Sequence, residues 1–380
     1  MISRHLATPL GCITRTEFAD TGFFPLRTPA PSPIYVLTKS LVETTPMAES
    51  TDLTRERISE IARGFMASRA LLSAYELGIF EALAAGEKNS LEVSWAIGAD
   101  PRATDRLLRA LVTMQLVELR PDRKFALSHA AAEFLVPGQP GFMGDLGHIN
   151  NLWKSWSTLT EAVRQGEKIA GPQAPPRDPA WIENFITAMH VLSIPFAPDT
   201  IAQMDLPDAR RMLDVGGGPG TYALAFVRAG EGRTATVFDL PDVVPLTRRF
   251  VEENDLSDKI DYVSGDMNKD ELPSSNYDVV FISAIIHMLS PEQNLALMQK
   301  AVRATAVGGS VVVQDFVMDN DRIRPPHGAM FALNMLVGTS GGDTYTAAEI
   351  TEWMNASGLP EVRTCNTTRG TSLVIGTKPA

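Results

Sequence analysis

The run "MLDVGGGPGTYA", Met212 to Ala223, sets four glycines and a proline between an apolar strand and the start of a helical pattern. Turns of this kind lay bare backbone against a nucleotide, and the residues around the glycines decide which one. A dinucleotide site takes G-x-G-x-x-G, with the following helix N-terminus facing a doubly negative pyrophosphate. Here Gly216 and Gly218 fit, but the third place is Thr221, and Asp214 would oppose the phosphates with like charge. A cofactor without phosphates suits the loop better. S-adenosylmethionine brings a zwitterionic amino acid, a sulfonium, a ribose and an adenine. Asp214 then stands on the cationic side, and Gly216, Gly218 and Gly220 let the backbone approach the amino-acid end.

Two further acids extend the pattern. Asp239 ends "TATVFD" about 25 residues after Asp214, the usual offset for an acid that accepts from ribose hydroxyls. "DYVSGDMN" sets Asp266 where a carboxylate can take the adenine amine, with Met267 to pack on the ring. The plain alternative for Asp266 alone is an ordinary Gly-Asp turn. Three acids at three successive strand ends, on the ligand-binding edge of one sheet, favour the cofactor.

The elements that must hold these groups follow from periodicity. Apolar strand runs fall at 212–215, 235–238, 260–263, 278–283 and 310–317, with helical segments between them, the pattern of a doubly wound parallel sheet. After a helix over 346–357, "EVRTCNTTRGTSLVIGTKP" reads as two strands joined by a turn, so the last strand is expected to run antiparallel. Residues 150–205 read as helical, with the Pro-rich loop "GPQAPPRDP" between two helices. Upstream, Ile58, Ile61, Phe65, Leu72, Leu77, Phe80 and Leu83 recur at helical spacing. A short helix, a turn, a second helix from about Arg102 and strands at 116–119 and 124–127 then outline a winged helix. Arg102, Arg106 and Arg109 invite a DNA-binding reading, but Asp100 and Asp105 sit among them, which favours a scaffold.

Bulk properties agree. The 380 residues suffice for two cores, and 44% hydrophobic with 21% charged residues is ordinary globular composition. A net charge of −11 argues against nucleic acid as the main partner, and no apolar run approaches the ~20 residues of a membrane span. Cys12 and Cys365, with no Cys or His ligand spacing nearby, read as free thiols in a reducing, cytoplasmic setting.

On "LDVGGGPG", "VFDLP", "GDM" and "IIHMLSPEQ", and on "LLSAYELGIFEALAAG" and "RLLRALVTMQLVEL" upstream, the chain resembles the S-adenosylmethionine-dependent small-molecule O-methyltransferases. Within them it is most similar to the caffeic acid and acetylserotonin enzymes and their bacterial secondary-metabolite relatives, over roughly residues 55–377. The resemblance implies an α/β fold, a class I methyltransferase Rossmann-like sheet with an N-terminal all-helical or winged-helix dimerisation domain. It implies a homodimer that methylates a hydroxyl of an aromatic or polyketide-like small molecule without a metal, and with neither nucleic acid nor membrane as partner. The expected division is a disordered extension over 1–46, a dimerisation domain over 47–150, acceptor-pocket helices over 151–205 and a catalytic domain over 206–380. Leu240 of "VFDLP" and Ser283 at the end of the fourth strand join the cofactor set.

Methylating a hydroxyl requires the oxygen about 3 Å from the methyl carbon and a base for its proton. A phenol of pKa ~10 calls for histidine near neutrality. His287, just past the fourth strand, matches the family's catalytic histidine, and Asp315, ending the fifth, matches the carboxylate that orients it. The plain alternatives are a histidine capping the loop before Pro291 and a solvent-facing acid. The chain departs from the plant pattern in Met288 and Leu289, and in Thr344 where the family has a second glutamate, with Asp343 adjacent. Phe185, Met189 and Met335 match acceptor-pocket positions, and Trp156, with Trp153, would cover a planar acceptor. Methylation at carbon or nitrogen, a non-methylating use of the cofactor and a ligand-sensing winged-helix regulator remain as other readings.

Overall fold

Strands covered on both faces read as near-continuous apolar runs, and this sequence has five before its C-terminal hairpin. The computed structural model of the protein describes residues 53–169, 179–274, 276–368 and 370–380. All the described residues belong to one compact unit. The extension expected over 1–46, with Cys12, lies outside the described residues.

The first helices among the described residues are α1 (Arg55–Glu76), α2 (Ile79–Ala84), α3 (Ser90–Ala96) and α4 (Pro101–Thr113). They precede an antiparallel ribbon of β1 (Val117–Leu119) and β2 (Phe125–Leu127), in which Val117 faces Leu127, and then α5 (His129–Phe134). The helical spacing from 58 to 83 is therefore two helices. Gly78, with φ 73, takes a left-handed conformation that costs glycine little and ends the run. The stripe also splits by environment. Leu72, Phe80 and Leu83 are buried with Leu108 and Leu111, whereas Ile58, Ile61 and Phe65 are 52, 64 and 54% exposed. In α4 the Asp100 side chain caps Ala103, and Asp105 pairs with Arg106 and Arg109 at 2.8 and 2.9 Å. Two of the three arginines are thus engaged within their own helix.

The stretch read as two helices around a loop contains four among the described residues: α6 (Leu146–Trp156), α7 (Leu159–Gln165), α8 (Pro179–Ser193) and α9 (Ala197–Gln203). Most of the Pro-rich loop lies outside the described residues.

The main sheet holds β3 (Arg211–Val215), β4 (Thr234–Asp239), β5 (Ile260–Ser264), β6 (Tyr277–Ser283), β7 (Thr305–Asp315), β8 (Glu361–Asn366) and β9 (Ser372–Thr377). Its order is β5-β4-β3-β6-β7-β9-β8; β9 runs antiparallel to β7, as the hairpin reading requires. The helices α10 (Thr221–Arg228), α11 (Val244–Glu252) and α12 (Pro291–Ala304) join β3 to β4, β4 to β5 and β6 to β7, whereas the described residues between β5 and β6 form turns in place of the expected helix; α13 (Pro326–Gly338) and α14 (Ala347–Ala356) follow β7. Side chains alternate across the sheet. Leu213, Val215, Val280, Ile282 and Val311 join one core, and Met212, Val237, Val279, Phe281 and Val312 join the other.

The strand order reverses at β3, between β4 and β6, so ligand groups are expected at the C-terminal edge there. Asp214 lies level with Val237 and Phe281, Asp239 with Ser264, and Ser283 with Gln314. The register therefore sets Asp214, Asp239 and Ser283 at one edge, and Asp266 and His287 follow in the segments just beyond β5 and β6. Among the described residues no single helix is long and apolar enough to cross a membrane.

Candidate active site

Asp214 shares the face of Met212, and is 1% exposed. Neither carboxylate oxygen has a hydrogen-bond partner. Burial, and then the charge of nearby Asp239, push its pKa up to about 7; the Ala223 amide opposes the shift from beyond normal hydrogen-bond geometry. The loop above it turns at Gly216, Gly218 and Gly220 with φ of 66, 53 and 74. A Cβ on Gly217 would lie 2.7 Å from Asp214 Cγ and 3.0 Å from Val237 Cγ1, so only glycine leaves the carboxyl its place. A buried carboxyl without a partner, under bare loop backbone, fits the cationic end of S-adenosylmethionine.

The neighbouring acid is satisfied. Asp239 accepts the Gly218 and Leu240 amides, each at 2.7 Å, which counter the rise in pKa that its burial causes. Each oxygen keeps a lone pair for a ribose hydroxyl. Thr247 Oγ1 donates to the Gly218 carbonyl at 2.5 Å, so that peptide is held from both sides. Leu240 remains 39% exposed. Asp266 pairs with Lys269 at 2.9 Å and accepts the Asn268 amide, and these bonds hold its pKa below the usual carboxylate range. Met267 packs half-buried against the sheet core, and Lys300 Nζ bonds the carbonyls of Met267 and Asp270 at 2.8 and 2.7 Å. Sequence reasoning missed Lys300, which reaches this loop from α12. Ser283 Oγ donates to Gln314 Oε1 at 2.7 Å.

His287 sits in a 3-10 turn, Ile286–Met288, four residues beyond the end of β6. Its Nδ1 is 2.8 and 3.0 Å from the two oxygens of Asp315, and both side chains are buried. An ionised carboxylate only accepts, so the imidazole proton belongs on Nδ1 and the lone pair on Nε2. Asp315 also accepts the Phe316 amide at 2.8 Å, so it is not a solvent-facing acid. Phe331 meets the His287 ring edge-on at 4.8 Å.

Around this pair, Thr344 is buried, with its hydroxyl 3.4 Å from the Gly328 carbonyl. Asp343 bonds Arg322 at 3.2 Å. Gly342 packs on the back of the histidine turn: a Cβ there would strike the His287 carbonyl and lie 3.0 Å from Met288 C. Gly342→Ala should therefore displace the turn. We expect turnover to fall about 10-fold or more with S-adenosylhomocysteine affinity retained, because small displacements of reacting groups are costly. Unchanged turnover in the variant would show that the turn tolerates the methyl group.

The residues expected to line an acceptor lie on α6, α8 and α13. Phe185 stacks on Trp181 at 5.5 Å and meets His148 edge-on at 5.3 Å, while Met189, one turn further, is half-buried. Trp156 Nε1 donates to Asn334 Oδ1 at 2.9 Å, which joins α6 to α13 beside the buried Met335. Trp153 instead packs on the N-terminal core, with the Arg69 guanidinium 5.6 Å from its ring. Phe331, His148 and Asn334 were not singled out from the sequence, because nothing in their spacing marks them. Among the described residues no group of three or more His, Cys, Asp or Glu side chains could hold a metal ion.

Comparison with known proteins agrees with this geometry. Residues 156–360 match the O-methyltransferase domain, and residues 59–137 match the O-methyltransferase dimerisation domain. The chain is 33% identical over 319 residues to 3-hydroxy-5-methyl-1-naphthoate 3-O-methyltransferase of Streptomyces sahachiroi, covering 81% of this chain and 90% of that one. It is 31% identical over 332 residues to the tetracenomycin polyketide synthesis 8-O-methyl transferase of Streptomyces glaucescens, covering 85 and 96%. The solved structure of PigF with S-adenosylhomocysteine superposes with a TM-score of 0.79 at 25% identity, covering 86% of this chain and all of that one. The glycine loop with its buried acid, the acids along one sheet edge and these matches together assign the chain to the S-adenosylmethionine-dependent O-methyltransferase family.

Proposed function

We propose that the protein methylates a hydroxyl on a fused aromatic or polyketide-like small molecule, with His287 as general base and Asp315 holding it in place. The observation that carries the reading is the two-oxygen contact of Asp315 on His287 Nδ1, at 2.8 and 3.0 Å, which leaves Nε2 as the accepting nitrogen. When bound, S-adenosylmethionine supplies a methyl group on a sulfonium centre. His287 Nε2 accepts the hydroxyl proton as the acceptor oxygen gains its bond to carbon, so the product oxygen stays neutral. Asp315 stabilises the imidazolium that results and fixes the ring plane. Phe331, Phe185 and Trp156 offer aromatic faces that suit a flat ring system.

The relatives named for a naphthoate and a tetracenomycin substrate support the acceptor class. Hydroxynaphthoates compared with their own methyl ethers test it. S-adenosylhomocysteine release is expected with the hydroxyl compounds and not with the ethers; equal release with the ethers would indicate attack by carbon and overturn the reading.

The dimerisation match includes Ile61, Phe65 and Met66, which are 64, 54 and 57% exposed on α1. A stripe of this kind on a 22-residue helix is suited to a second copy of the chain. Ile61→Glu with Phe65→Glu should yield a monomer in sedimentation velocity, with turnover greatly reduced. A variant that stays dimeric would move the interface elsewhere.

A further inference from the structure

Three side chains fasten the glycine loop, beside the backbone bond from the Gly216 amide to the Phe238 carbonyl. Asp239 accepts the Gly218 amide, Thr247 donates to the Gly218 carbonyl, and a third tie comes from outside the nucleotide fold. His190, on α8, places Nδ1 2.8 Å from the hydroxyl of Thr221. Thr221 is the first residue of α10, directly after Gly220, and is 6% exposed. The His190 ring rests on Phe250 of α11, with centroids 4.4 Å apart. Burial holds His190 neutral, with its pKa lowered to about 4. A neutral ring is what the place requires, since the N-terminus of α10 disfavours a cation. The residue before it, Met189, faces the acceptor side in the reading above.

We propose that His190 is a positioning residue: by bonding Thr221 it ties the acceptor helix α8 to the cofactor loop and holds that loop in the form that takes the amino-acid end of the cofactor. The inference rests on the cofactor assignment and not on the identity of the base. If the tie is lost, the buried Thr221 hydroxyl has no partner and the first turn of α10 must shift to find one, carrying with it the backbone amides next to the cofactor's amino acid. The adenine and ribose groups, expected against Met267 in the turn after β5 and Asp239 at the end of β4, should not notice.

The test is calorimetric titration of the full-length chain with two probes. S-adenosylhomocysteine has the amino-acid end, and 5′-methylthioadenosine lacks it. His190→Phe keeps the ring contact with Phe250 and removes the nitrogen, and Thr221→Val keeps the volume and removes the hydroxyl. Each is expected to weaken S-adenosylhomocysteine about 10-fold, the scale of one buried hydrogen bond, and to leave methylthioadenosine within about twofold. The double variant should be no weaker than either single one, since both remove the same bond. His190→Asn, whose amide can replace Nδ1, should recover most of the affinity.

Equal weakening of both probes, unchanged binding of S-adenosylhomocysteine, additive effects, or failure of Asn to restore affinity would each overturn the inference. Should His190→Phe not fold, Thr221→Val and its probe pair decide alone. A wild-type chain that binds neither probe would contradict the cofactor assignment itself, and this inference with it.

Discussion

His287→Ala should lower turnover about 10³-fold, within the range a positioned base contributes, while S-adenosylhomocysteine binds within about twofold of wild type. The split follows from where the residue lies. The loop and acids expected to take the cofactor lie at or just beyond the ends of β3, β4 and β5, whereas His287 follows β6 and makes its polar contacts to Asp315. Asp315→Asn should cost nearly as much. An amide beside Nδ1 can present its NH₂ group, which favours the tautomer with the proton on Nε2, where no base is left for the acceptor. Asn also retains the size of the aspartate, and its oxygen can still accept the Phe316 amide, so loss of fold is not the expected cause. Steady-state rates with a hydroxylated aromatic, paired with calorimetry, give both numbers. A His287→Ala enzyme with more than a tenth of wild-type turnover would remove the base from the account.

The second large effect concerns Asp214 and has opposite signs for stability and binding. In the folded chain without cofactor its pKa is pushed up to about 7, against 3.8 as the ordinary value. Between those two values the folded state holds a proton that the unfolded state has released. Stability from this group is therefore full below pH ~4 and is lost as pH rises through ~7. The difference of about three units corresponds to roughly 4 kcal/mol at alkaline pH, an order-of-magnitude figure. Asp214→Asn removes that cost. At pH 8 the cofactor-free variant should melt several degrees above wild type, and its midpoint should change less between pH 5 and 8. Binding runs the other way: a cationic ligand end favours the ionised carboxyl, so wild-type affinity for S-adenosylhomocysteine should rise from pH 5 to 8. The variant should bind at least 10-fold more weakly at pH 8 and show little of that rise. Wild-type-like affinity in the variant would make Asp214 a purely structural acid.

These two residues show what the sequence could deliver. Asp214 and Asp239 were legible because the glycine loop and the strand ends fix their spacing, and a parallel sheet with both faces covered announces its strands as apolar runs. Asp315 was legible as a neighbour of His287 because β6 and β7 adjoin in this topology. What failed to show were contacts made between distant elements. His190 and Thr221 lie 31 residues apart and Trp156 and Asn334 lie 178 apart, and no local period relates them. Periodicity likewise marked Ile58, Ile61 and Phe65 as one apolar stripe with Leu72 and Phe80, yet the first three are exposed. A stripe states that something must cover it and not whether the cover is core or a second chain. The helix break at Gly78 was missed for a related reason: glycine is tolerated inside helices, and only its left-handed φ shows that this one ends the element.

The most direct test of the central claim is to follow an isotope-labelled methyl group from S-adenosylmethionine into a hydroxynaphthoate and to locate it in the product by NMR, for wild type and for His287→Ala. The label is expected on the hydroxyl oxygen, with one S-adenosylhomocysteine formed per product, and almost no product from the variant. A label on ring carbon, or equal labelling by the two enzymes, would contradict it.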